Sequence, residues 1–257
     1  MSESGQARLE DLVPEGLTPD GPGWQQQKSA QARVAILDAA IDCLEKYGYA
    51  QTTTQLIAKS AGISRGAMLH HYATKQDLIA AVIDYAVYKR AERFLATIAD
   101  LTDRQREEQM VGIELHWQSI QTPEFAAYLE LQVASRTDSE LRTIFVSKAR
   151  RLDRLYRDAV INAFPEWESA MDRYDLAMDY VTATMEGLLL NKEIWNDQKR
   201  RQHYRRFIGL TVRMLREGKI PLSELPPLTE AALPKARSPQ RTARDGAYAP
   251  RRRSKTE

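Results

Sequence analysis

Apolar residues recur at three- and four-residue intervals through most of this chain, which is the helical period. Ile36, Leu37, Ala40, Ile41 and Leu44 fall on one face of a first predicted helix. The same period, broken at glycines, prolines and capping residues, predicts helices over about 29–47, 54–61, 65–72, 75–100, 104–120, 123–136, 138–163, 168–196 and 200–217. Between residues 24 and 220 the only prolines are Pro123 and Pro165, and both suit helix boundaries. No run alternates with a period of two and no segment repeats, so the expected fold class is all-α.

Proline returns at the two ends. Residues 1–28 carry Pro14, Pro19 and Pro22 among glycines and mostly acidic charges, which predicts a disordered arm. Residues 221–257 carry Pro226, Pro227, Pro234, Pro239 and Pro250 among many arginines, which predicts a disordered basic tail. That tail either adds nonspecific affinity for DNA or is simply solvated.

The second and third predicted helices are short and joined by a glycine. Gly48 ends the first helix, Thr52 or Thr53 caps the second, and Thr52 with Gln55 has capping-box spacing. Leu56, Ile57 and Ala61 face inward, Gly62 makes the turn and Ile63 plugs the core. Ser64 stands at the N-cap of the third helix, and Met68 and Tyr72 set its buried face. Arg65, Gly66, Ala67 and His70 are left outward. Two short helices about a glycine turn, the second with a polar outer face, form a helix-turn-helix that reads DNA.

Gly62 to Gly66 also matches G-x-S-x-G, the elbow that presents a catalytic serine in many hydrolases. An elbow needs a buried strand in front of it, whereas "TTTQLIAKSA" has helical spacing and polar Lys59 and Ser60. Ser64 is therefore read as a cap and not as a nucleophile.

Charge changes the picture only through its placement. The net charge is +2, from 37 Lys and Arg against 35 Asp and Glu, so the total does not point to nucleic acid. From Lys46 to Gln76, however, there is no carboxylate, while Lys59, Arg65, His70, His71 and Lys75 all lie there. Phosphates favour such a surface. The bland alternative is a capped surface pair of helices with chance segregation of charge.

Other chemistry is excluded residue by residue. Cys43 is the only cysteine, so neither an intrachain disulfide nor a thiol metal site can form. His116 and His203 lack metal-ligand spacing, and no H-E-x-x-H, phosphate loop or paired Glu-x-x-His set occurs. No metal, no cofactor and no catalytic residue is expected. The chain lacks a secretory start and any long apolar run, which predicts a cytoplasmic protein with no membrane partner.

The stretch "ARVAILDAAIDCLEKYGYAQTTTQLIAKSAGISRGAMLHHYATKQDLIAAVI" resembles the N-terminal domain of the tetracycline-repressor (TetR) family of bacterial transcription regulators. The shared elements are A-x-x-x-F/L-x-x-x-G-Y/F, T-T, I-A-x-x-A-G-(V/I)-S-x-G and H-x-(F/Y)-x-x-K-x-x-L, over residues 30–90 with the helix-turn-helix at 53–72. The resemblance implies a homodimer whose third helices enter the major groove of double-stranded DNA at an inverted-repeat operator. By resemblance, Gln55, Arg65, Gly66, Ala67 and His70 meet bases, and Thr54, His71 and Lys75 hold phosphates. Leu69 stands where the family usually has a tyrosine that touches the DNA backbone.

The resemblance further implies a helical regulatory and dimerisation domain at 91–220, and a repressor released by an as yet unidentified small-molecule effector. An activator or a ligand-independent regulator of the same fold remains open, and a helical enzyme is the remaining alternative. Met171, Tyr174, Met178, Val181, Met185 and Leu188 form a heptad-like seam, expected at the dimer contact together with Phe207, Leu210, Thr211 and Met214. Packing of the seam inside its own subunit is the alternative, because periodicity does not name the partner. Candidate pocket residues are Trp117, Phe125, Tyr128, Leu129, Met178 and Trp195.

Overall fold

Nine α-helices account for most of the described residues, and each boundary has a local cause. The computed structural model describes residues 9, 12–19, 21, 23–102, 104–105 and 110–225. The helices are α1 (Trp24–Gln51), α2 (Thr54–Ser60), α3 (Arg65–His71), α4 (Lys75–Ala99), α5 (Val111–Ser119), α6 (Pro123–Ala134), α7 (Ser139–Ala163), α8 (Met171–Leu190) and α9 (Gln198–Arg216). Among the described residues there is no strand. Side chains cap most N-termini: Thr53, Ser64, Thr74, Thr122, Asp138 and Asp197 each accept a hydrogen bond from a backbone N–H of the first turn that has no partner within the helix. Pro123 sits in the first turn of α6, where its missing N–H costs nothing.

Residues 1–220 form one compact unit, and α4 runs unbroken through the expected domain boundary at 90/91. The reason is a shared core. Ile36, Leu37, Ala40, Leu44, Ile57 and Met68 of the first three helices pack in one cluster with Leu78, Val82 and Ile83 of α4, Leu131 of α6 and Phe145 of α7. Within this unit α1 lies along α6 as well as on α2 and α4.

Three expectations need correction. Residues 1–28 are not wholly a loose arm: Leu12 is buried in the main core, Arg33 donates to the Gly16 carbonyl at 3.2 Å, and α1 already begins at Trp24. An apolar side chain that finds a site between helices outweighs the proline-rich, acidic composition around it. The single helix expected at 168–196 is a 3₁₀ segment, Pro165–Ala170, followed by α8. Asn191 ends α8, its side-chain amide donating to the Gly187 carbonyl at 2.8 Å.

The third correction concerns the seam. Tyr174, Val181, Met185 and Leu188 are buried inside their own subunit, the last three against Ile113 of α5, Phe125 of α6 and Ile208 of α9. The apolar residues left outward on this pair of helices are Leu176 and Leu190 of α8 with Phe207 and Leu210 of α9. Apart from a short 3₁₀ turn at Leu222–Glu224, the expected basic tail at 221–257 lies outside the described residues from 226 onward.

Candidate nucleic-acid interface and interior cavity

Helix α3 is held from beneath and from its N-terminus. Met68 is fully buried, so the opposite face of α3 is fixed outward. The Ser64 hydroxyl oxygen accepts the Ala67 N–H at 3.1 Å, and the residues before it are a helix and a turn through Gly62 (φ +69°). A strand-to-helix elbow is thus replaced by a helix-to-helix turn, and Ser64 is an N-cap. Of the two threonines expected to cap α2, Thr53 is the cap, and the Thr52–Gln55 capping box does not form. Thr53 accepts the Leu56 N–H at 3.1 Å, while Thr52 is buried and donates its hydroxyl to the Gly48 carbonyl at 2.7 Å.

None of the expected DNA-facing residues is buried. Gln55, Arg65, Gly66, Ala67 and His70 are exposed, while Thr54, His71 and Lys75 are half-buried. Gly66 would carry a Cβ in open space except for Ser64 Oγ at 3.9 Å, so the outer face of the first turn of α3 is bare backbone beside Arg65. Arg65 has the fork to bind a guanine edge, and the bare Gly66 backbone admits close approach. His70 and His71 lie with ring centroids 5.6 Å apart. Burial, then Arg33 and His70, hold the His71 imidazole below its ordinary pKa, so it is neutral near pH 7 and can donate one N–H. Leu69 is exposed at the position where the resembling family carries tyrosine.

Two features of this surface are not legible along the chain. Arg33 of α1 adds a cation beside His71 and Tyr72, and its charge opposes the burial that raises the Tyr72 phenol to about 12. Carboxylates also reach the far end of the surface from α6 and α7. Glu130 accepts the Tyr49 N–H at 3.2 Å, Asp138 accepts the Tyr49 hydroxyl at 3.3 Å, and Glu140 accepts from the Gln76 amide at 3.2 Å. Lys75 Nζ stands 4.4 Å from the Tyr49 ring centroid. The carboxylate-free run is therefore bordered by acids where it meets the rest of the subunit.

A cavity of about 550 Å³ lies between α4, α5, α7, α8 and α9. Tyr128 and Met178 of the expected pocket set line it. Phe125 and Leu129 pack in the cluster beneath it, Trp117 stacks under Arg205, and Trp195 packs against Tyr204 away from it. The cavity also takes Arg90, His116, Tyr156, Trp167 and Glu186, which sequence reasoning did not select. His116 is driven down to about 4, first by burial and then by Arg90, so its imidazole is neutral. Burial pushes the Glu186 carboxyl up, against the pull of Arg90. Among the described residues no group of histidine, cysteine and acid side chains is placed to hold a metal, and no helix is long and apolar enough to cross a membrane.

Residues 36–82 match the family described as bacterial regulatory proteins, tetR family. An uncharacterized HTH-type transcriptional regulator of Mycobacterium tuberculosis is 32% identical over 119 residues, covering 46% of this chain and 60% of the relative. The HTH-type transcriptional repressor AcnR of Corynebacterium jeikeium is 35% identical over 85 residues, 29% of this chain and 45% of that protein. The chain thus matches less than two thirds of the length of these relatives. The solved structure of the multidrug binding protein EbrR complexed with imidazole superposes with a TM-score of 0.50 at 20% identity, covering 76% of this chain and 96% of the other. The likeness in fold extends from the helix-turn-helix into the helices that follow it.

Proposed function

From the match of residues 36–82 to the tetR family of bacterial regulatory proteins, we propose that this chain is a tetR-type, sequence-specific regulator of transcription that binds double-stranded DNA as a homodimer. The observation that carries this reading is the outward face of α3, where Arg65, Gly66, Ala67 and His70 are exposed and Met68 and Ser64 fix the helix from behind. An α-helix held this way fits the major groove, and Arg65 is the residue on it best suited to a guanine edge. Thr54, His71 and Lys75, with Arg33 behind them, are assigned to phosphates. Gln55 joins the base-reading set from α2.

The dimer contact is assigned to the outward apolar faces of α8 and α9. Phe207 is 60% exposed and Leu210 50% on α9, and Leu176 and Leu190 are exposed on α8. Covering them is what a partner subunit would do. A two-fold pair of subunits presents two identical α3 helices, so the operator is an inverted repeat. Repression, relieved by a small molecule in the cavity, is the sign of regulation we favour, since AcnR is named a repressor and EbrR was solved with imidazole. The cavity and the helix-turn-helix share α4, which begins at Lys75 just after α3 and carries Arg90 in its second half. In this reading the protein acts on the chromosome in the cytoplasm.

Paired substitutions test the division of roles. Arg65→Ala should weaken binding to the operator by about 1–3 kcal/mol while leaving affinity for scrambled DNA nearly unchanged. Lys75→Ala should weaken both alike and lower the salt dependence. Equal losses on both duplexes for both variants would refute base reading by α3.

A further inference from the structure

The cavity contains a buried charged group that has no ion pair among the described residues. Arg90 is only 8% exposed, and its guanidinium lies 4.8, 5.2 and 5.5 Å from the ring centroids of Phe125, Tyr128 and Tyr156. Its Nε has no hydrogen-bond partner. No carboxylate of the described residues forms an ion pair with it. The neighbouring cation Arg93 takes Glu124, and Arg205 takes Glu114. A buried, unpaired cation is among the costliest groups a fold can keep. A second polar atom without a partner, Nε2 of His116, belongs to a side chain that lines the same cavity, and the buried Tyr156 hydroxyl there has only Arg90 beside it.

We propose that this cavity binds an organic anion, its carboxylate gripped by Arg90 with His116 and Tyr156, and its apolar body lying against the aromatic wall formed by Phe94, Phe164 and Trp167. The proposal rests on the effector-controlled reading above and narrows it to a chemical class. All three polar groups supply donors: a guanidinium N–H, a phenol O–H and the N–H of a neutral imidazole. Charge-assisted bonds from such donors to one carboxylate are the strong kind, the more so away from water.

The other charges around the cavity are paired, pushed toward neutrality or open to solvent. Glu186 faces it, but burial pushes that carboxyl toward its neutral form. At the rim Arg157 pairs with Asp175 and Arg216 with Glu166, so these cancel. Asp153 and Asp179 are exposed to solvent at the mouth. A cationic ligand would be repelled by the Arg90 guanidinium, which already occupies the Tyr128 and Tyr156 rings of the lining.

Calorimetry on the full chain tests this with decanoate and naphthalene-2-carboxylate, their primary amides, and decyltrimethylammonium. At least one carboxylate should bind, its amide about tenfold more weakly or worse, as loss of a charge-assisted bond requires. Arg90→Gln and, independently, Tyr156→Phe should weaken the carboxylate, with circular dichroism confirming that each variant is folded. Arg90→Lys should restore part of the affinity. Binding of the ammonium compound alone, carboxylate affinity unchanged in folded Arg90→Gln, or no binding by either carboxylate overturns the proposal. Adding the panel to an operator complex separates the two readings. Arg90-dependent carboxylate binding that leaves DNA bound keeps the anion site and removes effector-driven release. Release by the ammonium compound alone does the reverse.

Discussion

Gly48→Ala should destabilise the protein by more than a glycine's conformation alone explains. Gly48 adopts φ 71° and ψ 172°, a region essentially closed to other residues, at the kink where α1 gives way to the turn before α2. Holding alanine there costs about 1–3 kcal/mol in strain. A Cβ at this position would also stand 3.0 Å from Glu130 Oε2, the oxygen that accepts the Tyr49 N–H. Displacing the carboxylate loses a hydrogen bond to a charged acceptor, about 1.5–3 kcal/mol before discounting for its partial exposure. The expected total is about 2–5 kcal/mol. Gly62→Ala supplies the control, since Gly62 has φ +69° and a Cβ added there would meet nothing within 4 Å. That variant should show only the left-handed cost, about 1–2 kcal/mol. Urea unfolding followed by circular dichroism measures both, provided the slopes agree with wild type. Equal losses for the two variants would show that the Tyr49–Glu130 contact joining α1 to α6 contributes nothing.

Two further outcomes follow from burial. Phe207→Glu should yield folded monomers by sedimentation and circular dichroism, because Phe207 is 60% exposed, whereas Val181→Glu should unfold the subunit, because Val181 is 5% exposed inside it; a folded Phe207→Glu dimer would place the contact elsewhere. His116, held at about 4 in the fold against about 6.5 unfolded, binds its proton more readily when the chain is unfolded. Its contribution is therefore complete above about pH 6.5 and is lost as pH falls toward 4, by about 2 kcal/mol between pH 7 and 5. His116→Leu should remove that share of the acid sensitivity, and an unchanged pH profile would mean that the imidazole already titrates normally in the fold.

The helix-turn-helix was readable because its determinants are local. Gly48, Gly62, Ser64 and Met68 each act within four residues of themselves, so spacing alone places the turn, the cap and the buried face. The α8 seam was misplaced for the opposite reason: 3-4 spacing defines a stripe, and only the fold decides that Ile113, Phe125 and Ile208 cover it rather than a second subunit. Leu12 shows the same limit in the arm, where composition outvoted one well-placed leucine. The cavity was the least legible part. In "VYKRAERF" Arg90 looks like any solvated arginine, and only the convergence of Phe125, Tyr128 and Tyr156 from other helices buries it. Likewise the acids that border the DNA face arrive from residues 130–140, far along the chain from the carboxylate-free run.

Selection from a random duplex pool at moderate salt tests the central claim most directly. The purified full chain should enrich one inverted repeat, and its affinity for that duplex should fall steeply as salt rises, since each neutralised phosphate releases counterions. Failure to enrich any sequence would contradict the assignment of this protein as a regulator that reads DNA through α3.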